Sequence, residues 1–87
     1  MYHVDFTPGA EADLARLDKT VSERVLKRLR WLAEHLEAIT PKALSGPWEG
    51  VFKLRIGDYR VLYTFDRMKQ KIFVHFVRHR REVYKIK

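Results

Sequence analysis

The order of elements legible in this 87-residue chain predicts an α+β fold. The expected architecture is an antiparallel β-sheet in the order β-α-α-β-β-β, with an N-terminal helical hairpin packed on one face. Three observations predict it. Tyr2, Val4 and Phe6 alternate with polar residues at the start. Two stretches of helical period follow, and after residue 50 come three runs of alternating apolar residues broken by short polar turns. No repeat or linker divides the chain, so residues 1–87 are read as one domain.

Each element has a local cause. Period-two alternation over Tyr2 to Phe6 marks a strand. Thr7-Pro8 is a helix start, with the hydroxyl as N-cap and proline at the first helical position. Ala10, Leu14 and Leu17 give the first helix its apolar stripe. Asp18 and Lys19 form a bend, and Thr20-Val-Ser-Glu23 has the spacing of a capping box. The second helix is expected to reach about Ala38, with Val25, Leu29, Leu32 and Leu36 on one face. Arg24, Lys27, Arg28, Arg30 and Glu34 line its polar face and read as solvated charge.

Thr40-Pro41 stops that helix, and Lys42 to Gly50 reads as a linker. In VFKLRIGDYRVLYTF, two alternating runs flank Gly57-Asp58, a hairpin signal. Asp66 to Gln70 is a second turn, and Lys71 to Arg78 a further strand. The tail from His79 to Lys87 reads as basic and irregular, anchored by Val83 and Tyr84.

A two-residue loop at Gly57-Asp58 pairs Ile56 with Tyr59, Arg55 with Arg60 and Lys53 with Leu62. Opposed residues share a face. Phe52, Leu54, Ile56, Tyr59, Val61, Tyr63 and Phe65 then point toward the helices. Lys53, Arg55 and Arg60 point away, together. Like charges opposed across a ladder are unfavourable unless something compensates, so this face is expected to hold an anion. Neighbouring cations would also favour the neutral form of Lys53, making it a candidate general base.

Charge along the chain is uneven. Residues 50–87 carry eleven lysines and arginines against Asp58, Asp66 and Glu82, whereas residues 1–49 carry seven bases and eight acids. A positive field interleaved with aromatic groups suits nucleic acid. The bases fall mostly on strands rather than on one helical face, which argues against a membrane-surface role. The chain has no cysteine, which excludes disulfides, thiolate zinc sites and cysteine nucleophiles. Histidines and acids do not cluster at ligand spacing, so neither a metal nor a cofactor is expected. The opening residues lack a basic n-region and an apolar h-region, and no apolar run is long enough to span a membrane, so a cytoplasmic location is expected.

The segments FKLRIGDYRVLY and FVRHRREVY, with Ala-x-x-Asp-Leu at Ala10 to Leu14 and Leu44-x-Gly46, resemble the RelE/ParE toxin superfamily over nearly the whole chain. The resemblance to RelE-like members implies a metal-independent endoribonuclease acting on mRNA in the ribosomal A site, against 16S rRNA. The implied reaction is attack of a ribose 2′-hydroxyl on the adjacent phosphate, leaving a 2′,3′-cyclic phosphate. Carried over by position, Lys53 handles the proton or stabilises charge, and Arg60 stabilises the phosphorane. Arg78 acts as leaving-group acid or phosphate ligand, and Tyr84 stacks on the nucleotide. Arginine is a poor acid, which makes the acid role of Arg78 the least natural of these. Arg55, His79, Arg80 and Arg81 are expected to contact RNA. Several members carry a second lysine where this chain has Val51. The resemblance also implies an acidic RelB-like antitoxin. Two other readings share the fold: a ParE-like protein that binds DNA gyrase without cutting, and an inactive RNA- or ribosome-binding module.

Overall fold

The computed structural model describes residues 1–39, 41–43 and 50–85, and at residues 42, 43, 84 and 85 the backbone alone. The expected linker residues Leu44, Gly46, Pro47 and Trp48 lie outside the described part. The elements are β1 (His3–Phe6), α1 (Pro8–Arg16), α2 (Lys19–His35), a 3-10 turn (Leu36–Ala38), β2 (Lys42–Ala43), β3 (Phe52–Ile56), β4 (Tyr59–Asp66), β5 (Lys71–His79) and α3 (Arg80–Lys85). The sheet order is β1-β5-β4-β3-β2.

The α+β architecture matches the expectation, and the structure alters it in four places. The sheet is not wholly antiparallel. The meander β3-β4-β5 is, but β1 pairs parallel with β5, His3 opposite Lys71 through Phe6 opposite Val74. The two helices carry the chain across the sheet face, so β1 enters beside the last strand rather than the next one. Second, α2 starts earlier than the Thr20 reading. Asp18 is its N-cap, the carboxylate accepting from Val21 N at 2.9 Å. Third, Lys42 and Ala43 extend the sheet by pairing with Lys53 and Phe52. Fourth, the tail is helical over Arg80–Lys85 rather than irregular. At six residues α3 is too short to persist unaided. It contacts β4 and β5, and Arg80 N donates to Asp58 O at 2.7 Å.

The start of α1 follows the sequence signal. Thr7 Oγ1 accepts from Ala10 N at 3.2 Å and donates to His75 O at 3.3 Å, joining the helix cap to β5. The β3-β4 turn also forms as expected. Gly57 has φ 58° while Asp58 stays out of the left-handed region, the pattern of a type II′ turn with glycine first. That positive φ is what favours glycine at this position.

The core lies between the inner sheet face and the helical hairpin. Val25, Leu29, Leu32 and Ala33 from α2, with Leu36 from the 3-10 turn, pack on Leu54, Ile56, Val61, Tyr63, Ile72, Val74 and Val77. Tyr2 N donates to Ala33 O at 3.1 Å, and its hydroxyl donates to Glu37 Oε1 at 2.6 Å. Burial, then the contact with Glu37, raises the Tyr2 pKa. Burial alone pushes Tyr63 up to about 12. A raised tyrosine pKa favours the folded state only while the ring stays protonated. Below the unfolded value of about 10 the two states bind that proton equally, and above it the unfolded chain ionises first. Stability should therefore fall between pH 10 and about 12. Tyr63→Phe should flatten that fall in urea titrations at stepped pH, and an unchanged slope would remove Tyr63 as its source.

Candidate nucleic-acid interface

The outer sheet face carries rows of side chains set by strand register. Arg55 opposes Arg60, and Arg60 opposes Arg78, so three arginines lie side by side on β3, β4 and β5. The next row holds Lys53, Leu62 and Phe76, with Lys42 opposite Lys53 at the edge. The first pairing was readable from the hairpin. The second depends on a β-bulge. Leu62 opposes Phe76 while Tyr63 opposes Val74, so His75 is an extra residue on β5. With regular alternation from the β4-β5 turn, Arg78 would have fallen on the inner face with Ile72 and Val74.

Each arginine is held differently. Arg60 is buried, 7% exposed, and Nη1 donates to Gly57 O and Tyr59 O at 2.9 Å each, which braces the hairpin turn. Arg55 is exposed and makes no ion pair with Asp58, while Glu49 lies outside the described residues. Arg78 donates from Nε to Asp13 Oδ2 at 3.0 Å, and its guanidinium lies 5.0 Å from the Phe76 ring centroid. Glu82 makes no ion pair among the described residues.

Asp13 is the residue whose role the sequence reading missed. It sits on α1, and its side chain is only 1% exposed. Its carboxylate accepts from Val77 N at 2.9 Å, from Arg78 Nε and from Arg16 Nη2. β1 stops opposite Val74, so β5 runs on beyond its neighbour, and Asp13 takes the N–H that a longer β1 would have bonded. The signal was present: Asp13 falls among Ala10, Leu14 and Leu17 on the apolar stripe of α1, where an acid needs buried partners.

Not every expected contact residue joins the rows. His79 opposes Tyr59, one position past Arg78, so alternation places it on the other face. There its ring meets Tyr59 edge-on at 5.5 Å, and Nδ1 accepts from Arg81 N at 3.3 Å. Arg80 and Arg81 are exposed in the first turn of α3. Tyr84 lies in the same helix, and its side chain is outside the described part. Lys53 is half-buried on the outer face.

Around the β3 edge the basic surface continues onto α2. Arg24, Lys27, Arg28, Trp31, Arg55 and Gly57 line a cavity of about 440 Å³. Arg28 lies 4.1 Å from the Trp31 ring centroid, and His35 stacks on that ring at 4.6 Å. The polar face of α2, read from sequence as solvated charge, is thus joined to the strand cations. Among the described residues no group of three histidines or acids could hold a metal.

A family model described as the ParE toxin of the type II toxin-antitoxin system parDE matches residues 4–84. The chain belongs to that family. It is a toxin of a type II toxin-antitoxin system, within the RelE/ParE superfamily. No curated protein sequence matches this toxin. Solved structures do. The toxin is similar to a chain of the RelBE2 toxin-antitoxin complex from Mycobacterium tuberculosis, at 29% identity and a TM-score of 0.81, covering 90% of this chain and 96% of that one. It is similar to a chain of the intact RelBE complex from E. coli, at 26% identity and a TM-score of 0.73, covering 88% and 94%. The fold is shared with isolated E. coli RelE, at 24% identity and a TM-score of 0.75 over 100% of both chains. Among the described residues no helix is long and apolar enough to cross a membrane.

Proposed function

We propose that this toxin is a ribosome-dependent endoribonuclease that cuts mRNA in the A site. The observation that carries the reading is the cross-strand row of Arg55, Arg60 and Arg78, with Lys53 on the same face. Asp13 offsets part of the charge of Arg78, but Arg55 has no ion pair among the described residues, and the arginine forks of the row suit phosphate oxygens.

In the proposed reaction the 2′-oxygen bonds to phosphorus and the P–O5′ bond breaks. The leaving O5′ takes a proton from Arg78 or from water, and the products are a 2′,3′-cyclic phosphate and a 5′-hydroxyl. Lys53 accepts the 2′-hydroxyl proton or stabilises charge on the attacking side. Arg60 and Arg78 stabilise the equatorial oxygens, where charge grows in the transition state. Tyr84 stacks on a base, and Arg80 and Arg81 take neighbouring phosphates. The α2 cations Arg24, Lys27 and Arg28 extend this surface toward 16S rRNA.

The partner is an acidic RelB-like antitoxin, in line with relatives solved as toxin-antitoxin complexes. The protein works in the cytoplasm, where its substrate is.

One observation favours a second reading. The matching family is described by its ParE members, and a ParE-like protein would bind gyrase without cutting. Primer extension on mRNA from a reconstituted translation mix separates the two. Cuts at A-site codons that need ribosomes support the nuclease. Intact mRNA with loss of gyrase supercoiling in a parallel assay replaces it with the second reading.

A further inference from the structure

We infer that the outer face carries a nucleobase subsite beside the cation rows, read by Thr64 and His75. The inference rests on the nuclease reading and adds to it a determinant of codon choice. Val51, Thr64, His75 and Phe76 line a cavity of about 320 Å³, closed at one side by Thr7 and Gly9. That volume is at the small end of ligand pockets, the scale of one heterocycle rather than a length of chain.

The walls have the chemistry of a base site. Val51 and Phe76 supply the apolar surface. The polar edge is a built pair, with His75 Nε2 and Thr64 Oγ1 2.9 Å apart. That bond uses one donor and one acceptor between them, and the threonine hydroxyl keeps a further hydrogen-bonding position with which to meet the edge of a base. RNA-binding proteins read single-stranded bases through such edges, with aromatic groups beside them.

Three features place the cavity on the substrate's path. Val51 is two residues before Lys53, and Thr64 is two after Leu62, so both face outward with the cations. The step from the Lys53 row is two residues, about 6.6 Å along a strand. The bulge adds His75 to β5 next to Phe76, whose ring lies under the Arg78 guanidinium. Thr7 also fastens the cap of α1 to His75 O, so the backbone that presents the imidazole is held on both sides. At the position of Val51, several of the resembling toxins carry lysine. Valine there turns a phosphate-facing wall into an apolar one, suited to a base.

The test is cleavage mapping over all codons in a reconstituted translation mix. Wild type would be compared with Thr64→Val and His75→Phe, which keep the shape and remove the polar edge, and with Met68→Ser as an exposed control. The expected result is that relative cutting among codons shifts by at least about tenfold in Thr64→Val and His75→Phe, while Met68→Ser keeps the wild-type profile. Uniformly slower cutting with unchanged preference would overturn the subsite and leave the nuclease reading standing. If wild type itself does not cut, the nuclease reading fails, and NMR titration with the four nucleoside 3′-monophosphates decides the subsite. Shifts at His75 and Thr64 that differ among the four bases would support it, and no shift would overturn it.

Discussion

Replacing Asp13 with alanine is expected to destabilise this toxin by about 3 kcal/mol, near the lower bound for breaking a buried ion pair. The carboxylate is 1% exposed and serves three donors at once. Its loss leaves Val77 N–H buried without a partner, which alone costs about 1–3 kcal/mol. It also strips a counter-charge from Arg78, whose side chain is 26% exposed, and from Arg16, which is 69% exposed. Arg16 rehydrates readily and Arg78 only partly, which keeps the total away from the upper end of the range. For a domain of this size the change should lower Tm by more than about 10 °C. Asp13→Asn keeps a neutral acceptor for Val77 and should cost less. Urea unfolding at constant m would measure both. An alanine variant within 1 kcal/mol of wild type would mean that α1 is tied to β5 by packing rather than by this carboxylate.

The second large effect concerns Arg78. Under the nuclease reading, Arg78→Ala should slow A-site cleavage by about 10²–10³-fold, the usual loss for one transition-state donor. It should cost less stability than Asp13→Ala, because Asp13 keeps Arg16 and Val77 N–H. Arg78→Lys is the sharper test. Arginine spends Nε on Asp13 and still has a terminal fork for phosphate. Lysine has a single nitrogen, for which Asp13 and phosphate would compete. The lysine variant should therefore cut nearly as slowly as alanine, although its charge is retained. Single-turnover cleavage on stalled ribosomes reads this out. Near-wild-type cutting by Arg78→Lys would reduce the residue to a general positive charge.

Local signals were reliable where neighbours in sequence are neighbours in space. Thr7-Pro8 capped α1, and Gly57-Asp58 set the β3-β4 register, including the meeting of Arg55 with Arg60. The inward set of that hairpin was also legible, with Leu54, Ile56, Val61 and Tyr63 all in the core. Tyr59 is the exception, since it packs edge-on with His79 at the sheet end rather than in the core. The cap of α2 was misplaced because Asp18 and Thr20 both offer a capping oxygen within three residues. Where α1 ends chooses between them.

Composition and period alone determined that this chain takes an α+β fold with a cation-rich outer sheet face. Those properties follow from alternation and from short turns, which each segment carries within itself. Tertiary structure decided the rest. It placed β1 parallel to β5, inserted His75 as a bulge, and so brought Arg78 beside Arg60 while turning His79 away. It also buried Asp13 against β5, 64 residues distant in sequence from Val77. A strand's period says which residues share a face. It does not say which strand lies alongside or where the register slips by one, because those are chosen by the total burial and hydrogen bonding of the assembled sheet.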